Sequence, residues 1–434
     1  MKKIFDYIEG IPKFTKKHSN EYVGRFLCYL GNPEAGKKVI HVAGTNGKGT
    51  VCSYMKAMLL ALGKEVGCFT SPHLIRLNER ININGQDISD EAFAESFQYV
   101  KKVVEEMEKA GLPHPSYFEF LFGIALVAFQ KKNLTYLILE TGIGGRLDAT
   151  NIIENPMLTI ITAIGLDHQE ILGETLEEIA SEKAGIIKKG TPLVYDANHV
   201  VSANVIYNTA IGKACASYGV SADSYEICEV VEKSIAFFLR DSYYERTIWH
   251  TKGQGIWQVA NAAIALEAMR ILEMQGEVSK ELNVWQQAMQ EALWQGRMQQ
   301  IETGIVLDGG HNLFAIQQFV KSVCLQEKRD IVILFAVMSD KPYEDMIQCL
   351  CESLDLEKVI VTTLQGTRSV EADILEEVFA RYTKVPIDKT SNVQEAWKRA
   401  NEIDKTNTTV YCLGSLYFIG DILKLWKEAS YAKF

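Results

Sequence analysis

The sequence predicts an α/β protein: an N-terminal domain on a mostly parallel, P-loop-type sheet, followed by a smaller, Rossmann-like C-terminal α/β domain. Three observations predict it. The apolar stretch Lys37-Lys38-Val39-Ile40-His41-Val42-Ala43 runs into the glycine-rich turn Gly44-Thr45-Asn46-Gly47-Lys48-Gly49-Thr50 and then into a helical pattern. A second strand follows that helix at the spacing of a strand–helix–strand unit, which builds parallel sheets. A fresh alternation of strand and helix begins after Gly296-Arg297, so the expected domains are residues 1–295 and 296–434.

Residues 1 to about 36 alternate helical pattern and loop, too few for a domain of their own. The turn that follows reads as a phosphate cradle: glycines at 44, 47 and 49 let backbone N–H groups converge on an anion, Lys48 adds charge, and the next helix aims its N-terminus at the same point. Its spacing departs from G-x-x-x-x-G-K-[ST], because two residues separate Gly44 from Gly47 and Gly49 stands between Lys48 and Thr50. A tight turn with a surface lysine is the plain alternative. The helix runs to about Leu62, and the strand Glu65 to Thr70 ends at Ser71-Pro72-His73. A ribbon spans Arg80 to Gln86, and Ser89 caps a long amphipathic helix reaching about Ala110.

Ser116-Tyr117-Phe118-Glu119 has the form of a capping box opening an apolar helix to Lys131, so Glu119 reads first as a cap. The strand Leu134 to Leu139 delivers Glu140, ahead of Thr141-Gly142-Ile143-Gly144-Gly145-Arg146-Leu147-Asp148. The strand Leu158 to Ile164 delivers Gly165-Leu166-Asp167-His168 in the same way. A further capping box, Thr175 to Glu178, opens a helix carrying Glu182-Lys183-Ala184-Gly185, where Lys183 reads on its own as a solvated lysine. Residues 190 to about 250 read as short strands and turns. The helix Trp257 to Gln275 places Asn261 among alanines, where a buried amide needs a partner. In the C-terminal series, strands at 304–307, 331–336, 358–362, near 384 and at 409–412 alternate with helices. The first ends in Asp308-Gly309-Gly310-His311-Asn312 and the last in Gly414-Ser415-Leu416-Tyr417.

Composition narrows the function. A net charge of −10 argues against nucleic acid or an anionic membrane as the main partner. Acids among the first nine residues interrupt any signal-peptide core, and the longest apolar run, Phe120 to Phe129, is far shorter than the ~20 residues a membrane helix needs. Nine cysteines, an odd number without paired metal spacing, fit reduced thiols in the cytoplasm.

Ligands collect at the carboxyl ends of parallel strands, so Ser71, Glu140 and His168 are expected near Lys48. Taken singly, they read as a turn residue before proline, a surface acid and a loop histidine. Their arrival at three successive strand ends favours a metal–phosphate site.

These motifs together, with Asn261-Ala262-Ala263 and Gly296-Arg297-Met298, resemble folylpolyglutamate synthase and its bifunctional dihydrofolate synthase relatives, of the Mur ligase superfamily, in order along nearly the whole chain. The resemblance implies an ATP-dependent ligase that adds L-glutamate to a folate, or to dihydropteroate, through an acyl phosphate. It implies ATP held by Asn46, Gly47, Lys48, Gly49 and Thr50, with Asn261, Arg297 and Asp308. It implies Mg²⁺, at two sites, ligated by Thr50, Ser71, Glu140, His168 and a carbamylated Lys183. Folate-side contacts fall on Leu147, Asp148 and Ala149, and a substrate role falls on His311 and Ser415. Lys48, His168, Lys183, Asp308 and His311 are the implied catalytic set, in a cytoplasmic monomer. Thr50 stands for the commoner Ser, Gly310 for Ala and Leu313 for Pro, and the usual Pro before Gly296-Arg297 is missing; none of these removes a chemical group. A cell-wall relative is disfavoured by the short N-terminal segment, and a non-catalytic nucleotide switch would not need His168, Lys183 or the polar strand ends of the second domain.

Overall fold

The computed structural model describes residues 1–12, 18–231, 234–292, 294–366 and 368–431. They form two compact units, the first built mainly from residues 1–226 and 260–292, the second mainly from the chain after 293.

The first unit is organised on an eight-stranded sheet. Its strands are β1 (Lys38–Ala43), β2 (Val66–Phe69), β3 (Ile81–Ile83), β4 (Gln86–Asp87), β5 (Tyr136–Glu140), β6 (Leu158–Ile161), β7 (Leu193–Asp196) and β8 (Ser217–Val220). The order is β4-β3-β2-β5-β1-β6-β7-β8. From β2 to β8 all pairs are parallel, and β3 and β4 add an antiparallel edge. The parallel strands read as near-continuous apolar runs because helices cover both faces. Phe93, Phe97, Phe120, Phe122 and Leu137 share one core, and Ile161, Ile179, Ile187 and Leu193 share another. The helix Tyr117–Lys131 is apolar nearly all round and lies in the first core, with the capping box expected at its start: Ser116 N donates to Glu119 Oε2 at 2.8 Å.

Chain order decides where a ligand belongs. β1 sits between β5 on one side and β6 on the other, so connections leaving their carboxyl ends diverge there and open a crevice at the end of β1.

The region 190–250 differs from the expectation. Between β7 and β8 lies a thirteen-residue helix, Val200–Gly212, rich in β-branched residues. Its buried positions, Ser202, Ile206 and Ala210, fall four apart on one face, so packing overrides local propensity. The strands that do occur, β9 (Tyr225–Val231), β10 (Ser234–Leu239) and β11 (Ile248–Lys252), form a separate three-stranded sheet, with β10 and β11 antiparallel.

The second unit carries a six-stranded sheet of β12 (Gln299–Glu302), β13 (Ile305–Asp308), β14 (Asp330–Phe335), β15 (Leu356–Thr362), β16 (Ile387–Thr390) and β17 (Thr408–Leu413), ordered β12-β13-β17-β14-β15-β16. All pairs are parallel except β12 with β13. The polar strand β12 has no apolar alternation to betray it in the sequence, and is an edge held by the ladder to β13. Among the described residues no helix is long and apolar enough to cross a membrane.

Candidate active site

The turn after β1 is sewn to the end of β6. Thr45 and Asn46 N–H groups donate to Ala163 O at 2.9 and 3.2 Å. Thr45 Oγ1 donates to Gly165 O at 3.0 Å, and Thr162 Oγ1 donates to Asn46 O at 2.8 Å. The glycines are dictated by close approach. A Cβ on Gly44 would meet Thr162 Oγ1 at 1.9 Å, and one on Gly47 would meet Asn261 Oδ1 at 2.2 Å, with φ of +151° and +91°. The buried Asn261 therefore finds its place against the phosphate turn, as a buried amide among alanines requires. Gly47 N-caps the helix Lys48–Ala61 and, as glycine, brings no side-chain cap of its own.

Lys48 folds back onto its own turn, its Nζ donating to Gly44 O at 3.1 Å and Thr45 O at 3.2 Å, with Glu140 Oε1 at 4.0 Å. The other oxygen of Glu140 accepts from Ser71 N at 2.9 Å. Lys183 is buried, 3% exposed, and donates to Gly44 O at 2.8 Å. The solvated-lysine alternative thus fails. Ser71, Glu140, Lys48 and Lys183 are joined through Gly44, from four different parts of the chain. His168 stands on the loop beyond β6 with a left-handed φ of 52°; its N–H bonds Asp167 Oδ1 at 2.9 Å. Thr50 is buried in the first turn of the phosphate-loop helix.

The turn after Glu140 packs against the Lys183 helix at backbone distance. A Cβ on Gly145 would meet Glu182 O and Lys183 O at 2.8 Å, and one on Gly185 would meet Arg146 Cα at 2.5 Å. Arg146 N donates to Glu182 O at 2.8 Å, and its guanidinium pairs with Glu182 Oε1. Within the folate-side stretch, Leu147 is exposed, whereas Ala149 and Asp148 are buried. Both Asp148 oxygens are engaged by the chain: Oδ2 accepts from Gly142 N at 2.9 Å and Ile143 N at 3.2 Å, Oδ1 from Thr150 N at 3.1 Å and Thr150 Oγ1 at 2.6 Å. Its side chain thereby shapes the turn that carries the folate-side stretch.

In the second unit, Asp308 ends β13 fully buried, accepting from Met298 N at 2.9 Å and Gly310 N at 2.8 Å. Burial pushes its carboxyl above the ordinary range, opposed by Arg297 and by these two N–H groups. His311 Nδ1 donates to Gly309 O at 2.8 Å, Asn312 caps the next helix through Ala315 N, and Ser415 is buried just beyond β17.

The Mur ligase middle domain model matches residues 42–269, and the Mur ligase, glutamate ligase domain model matches residues 296–416. The dihydrofolate synthase/folylpolyglutamate synthase of Bacillus subtilis is 32% identical over 97% of this chain and 98% of that protein. This chain belongs to the folylpolyglutamate and dihydrofolate synthases of the Mur ligase family. Among solved members of the family, Escherichia coli FolC in complex with DHPP and ADP is 27% identical, with a TM-score of 0.84 over 98% of this chain and 97% of that one. A bifunctional folylpolyglutamate synthase/dihydrofolate synthase with Mn, AMPPNP and L-glutamate bound is likewise 27% identical, with a TM-score of 0.81 over 98% and 97%.

Several residues of this synthase's site were not singled out from the sequence. Thr45 and Thr162 lock the phosphate turn, and Thr150 holds Asp148. A hydroxyl in a strand or turn leaves no periodic signature, so only the fold reveals these partners.

Proposed function

We propose that this ATP-dependent ligase joins the carboxylate of a folate, or of dihydropteroate, to the amine of L-glutamate. The observation that carries the reading is the phosphate turn itself: a helix N-terminus without a side-chain cap at the divergence of β1, β5 and β6, with Lys48, Glu140 and Lys183 gathered around Gly44. The relatives solved with ADP or AMPPNP, with DHPP and with L-glutamate support the same assignment.

In this reading Asn46, Gly47, Lys48, Gly49 and Thr50 hold the phosphates of ATP, and Lys48 leaves its own carbonyls to neutralise charge on the transferring group. The substrate carboxylate oxygen attacks the γ-phosphorus, ADP leaves, and an acyl phosphate forms. The glutamate amine then attacks the acyl carbon, phosphate departs with the C–O bond, and the amine gives up a proton. Among the described residues no three His, Cys, Asp or Glu side chains gather as a metal cluster. Magnesium does not require one: it takes one or two protein oxygens and keeps water and phosphate as its other ligands, which suits Thr50, Ser71 and Glu140 beside the phosphate turn. His168 and a carbamylated Lys183 complete the proposed set. When bound, the metal would supply charge neutralisation for two anions that otherwise repel. Asn261, Arg297 and Asp308 are assigned to the nucleotide, Leu147 and Ala149 to the folate side, and His311 and Ser415 to substrate. The domains are read as 1–295 and 296–434, and the enzyme as a cytoplasmic monomer.

The reading is tested by incubating enzyme and MgATP with glutamate and either dihydropteroate or tetrahydrofolate, then identifying products by mass. A product one glutamate heavier, formed only with ATP, is expected from tetrahydrofolate. The same gain on dihydropteroate would assign dihydrofolate synthase activity as well, in keeping with the double name of the Bacillus subtilis relative. ATP hydrolysis without either product would overturn the proposal.

A further inference from the structure

Strand β1 carries His41 on the same face as the apolar residues Val39 and Ala43, wholly buried. Burial holds its imidazole far below the ordinary value, at about 3, with the charge of Lys188 acting in the same direction. A neutral, buried imidazole in a strand core is costly unless its polar atoms are used. One is used: Nε2 lies 2.8 Å from Thr150 Oγ1. The other, Nδ1, has no hydrogen-bond partner among the described residues.

The direction of this hydrogen bond follows from what lies beyond it. Thr150 Oγ1 is 2.6 Å from Asp148 Oδ1, an oxygen that also accepts the Thr150 N–H. The single hydroxyl proton goes to the carboxylate, so the hydroxyl oxygen can only accept from the imidazole. His41 is therefore the Nε2–H tautomer. The network reads as His41 donating to Thr150, Thr150 donating to Asp148, and Asp148 gathering the N–H groups of Gly142 and Ile143 directly after Glu140. It ties the strand that ends in the phosphate turn to the turn that carries Leu147 and Ala149.

We propose that His41 and Thr150 are positioning residues of the ligase: the chain of bonds from His41 Nε2 through the Thr150 hydroxyl to Asp148 sets the 141–149 turn in the form that receives the folate-side substrate, in register with the phosphate turn at the end of the same strand. This rests on the assignment of Leu147 and Ala149 to the substrate side. A purely space-filling role would be met as well by valine at 150 and leucine at 41, which separates the two ideas.

The experiment measures KM for the pterin-bearing substrate and for ATP separately in Thr150→Val, Thr150→Ser, His41→Leu and His41→Gln. Removing the hydroxyl or the ring donor is expected to raise KM for the pterin-bearing substrate about tenfold, with KM for ATP within about twofold of wild type. Serine at 150, which keeps the hydroxyl, and glutamine at 41, whose amide places a donor near the Nε2 position, are expected to restore most of the loss. Unchanged KM values, or an equal rise for both substrates, would overturn the proposal. Should the valine and leucine variants not fold, nitrogen NMR of the wild-type histidines decides it: an Nε2–H tautomer for His41 that does not titrate between pH 5 and 8 is required, and an Nδ1–H tautomer refutes it. Failure of the functional reading is seen separately, as a wild-type protein that adds glutamate to neither pterin substrate.

Discussion

The two sheets end their leading strands in turns of similar appearance and opposite construction. After β1, Gly44 and Gly47 take positive φ, and Gly47 opens the next helix with no side-chain cap. After β13, Gly309 and Gly310 are followed by Asn312, whose Oδ1 accepts from Ala315 N at 2.8 Å and so fills the N-terminus of the helix Leu313–Cys324. In both units the leading strand has a neighbour that enters later in the chain, β5 beside β1 and β17 beside β13, so topology alone would offer two equivalent ligand sites. Capping distinguishes them. A helix end closed by its own asparagine has spent one of the donors that an anion needs, while one capped by glycine keeps them. The first turn suits the phosphate proposed for it, and the second holds a buried carboxylate, Asp308, on two backbone N–H groups.

Lys48→Ala is the largest expected break in this contrast. It removes the one cation that bonds the phosphate-turn carbonyls from the helix start, and turnover should fall by at least about a hundredfold while thermal unfolding barely changes. Activity within a few-fold of wild type would sink the site assignment.

Lys183→Ala comes next. If the lysine acts as its carbamate, the variant should be nearly inactive and partly rescued by formate or acetate, and the intact protein should carry the added carboxyl mass on that residue. An inactive variant without rescue and without the added mass would leave Lys183 as a buried amine that merely holds Gly44 O.

Exchanging the glycines sharpens the comparison directly. Gly47→Ala forces a Cβ into a left-handed turn and against Asn261 Oδ1, so KM for ATP should rise about tenfold or more. Gly310→Ala involves no left-handed φ and brings its Cβ under 3 Å only to Asp308 Oδ1, at 2.8 Å, so KM for ATP should stay within about threefold. The reverse ranking would mean that the second turn is the more sterically demanding of the two.

The pH dependence of stability isolates the strand beneath the first turn. The folded pKa of His41, about 3, lies below its ordinary 6.5, so between these values the unfolded chain binds a proton that the native one does not. Stability should therefore fall as pH drops through that window, by about 2 kcal/mol at pH 5 from this residue alone. Denaturant titrations of wild type and His41→Gln at pH 7.5 and 5 should show a smaller acid loss in the variant. The smallest effect is expected at the second turn: Asn312→Ala should cost about 1 kcal/mol of stability, measured by denaturant titration, and leave the phosphate turn untouched.

Much of this architecture was legible in the chain because it is local. Capping boxes at Ser116 and Thr175, the cap at Ser89, the glycine turn at 44–50 and the alternation after Gly296 are short-range patterns, and each element formed where its pattern lay. Even Glu119, whose plainest reading was a cap, is one; it also takes the imidazole of His18 at 2.7 Å, a contact 101 residues away in sequence. The helix Val200–Gly212 went unread for the converse reason: its β-branched residues favour strand locally, and only a buried face created by packing made it helical.

By itself, then, the sequence determined the class of fold, the order of its parts and the chemistry offered at each strand end, since periodicity, caps and glycine turns act over a few residues. Tertiary structure alone decided which of those groups meet. Whether Lys183 faces water or Gly44 O, whether Asp148 waits for a ligand or fastens a turn, and why Gly145 and Gly185 must both be glycine depend on distances between segments far apart in the chain. Burial and close approach set those distances, and no local pattern encodes them.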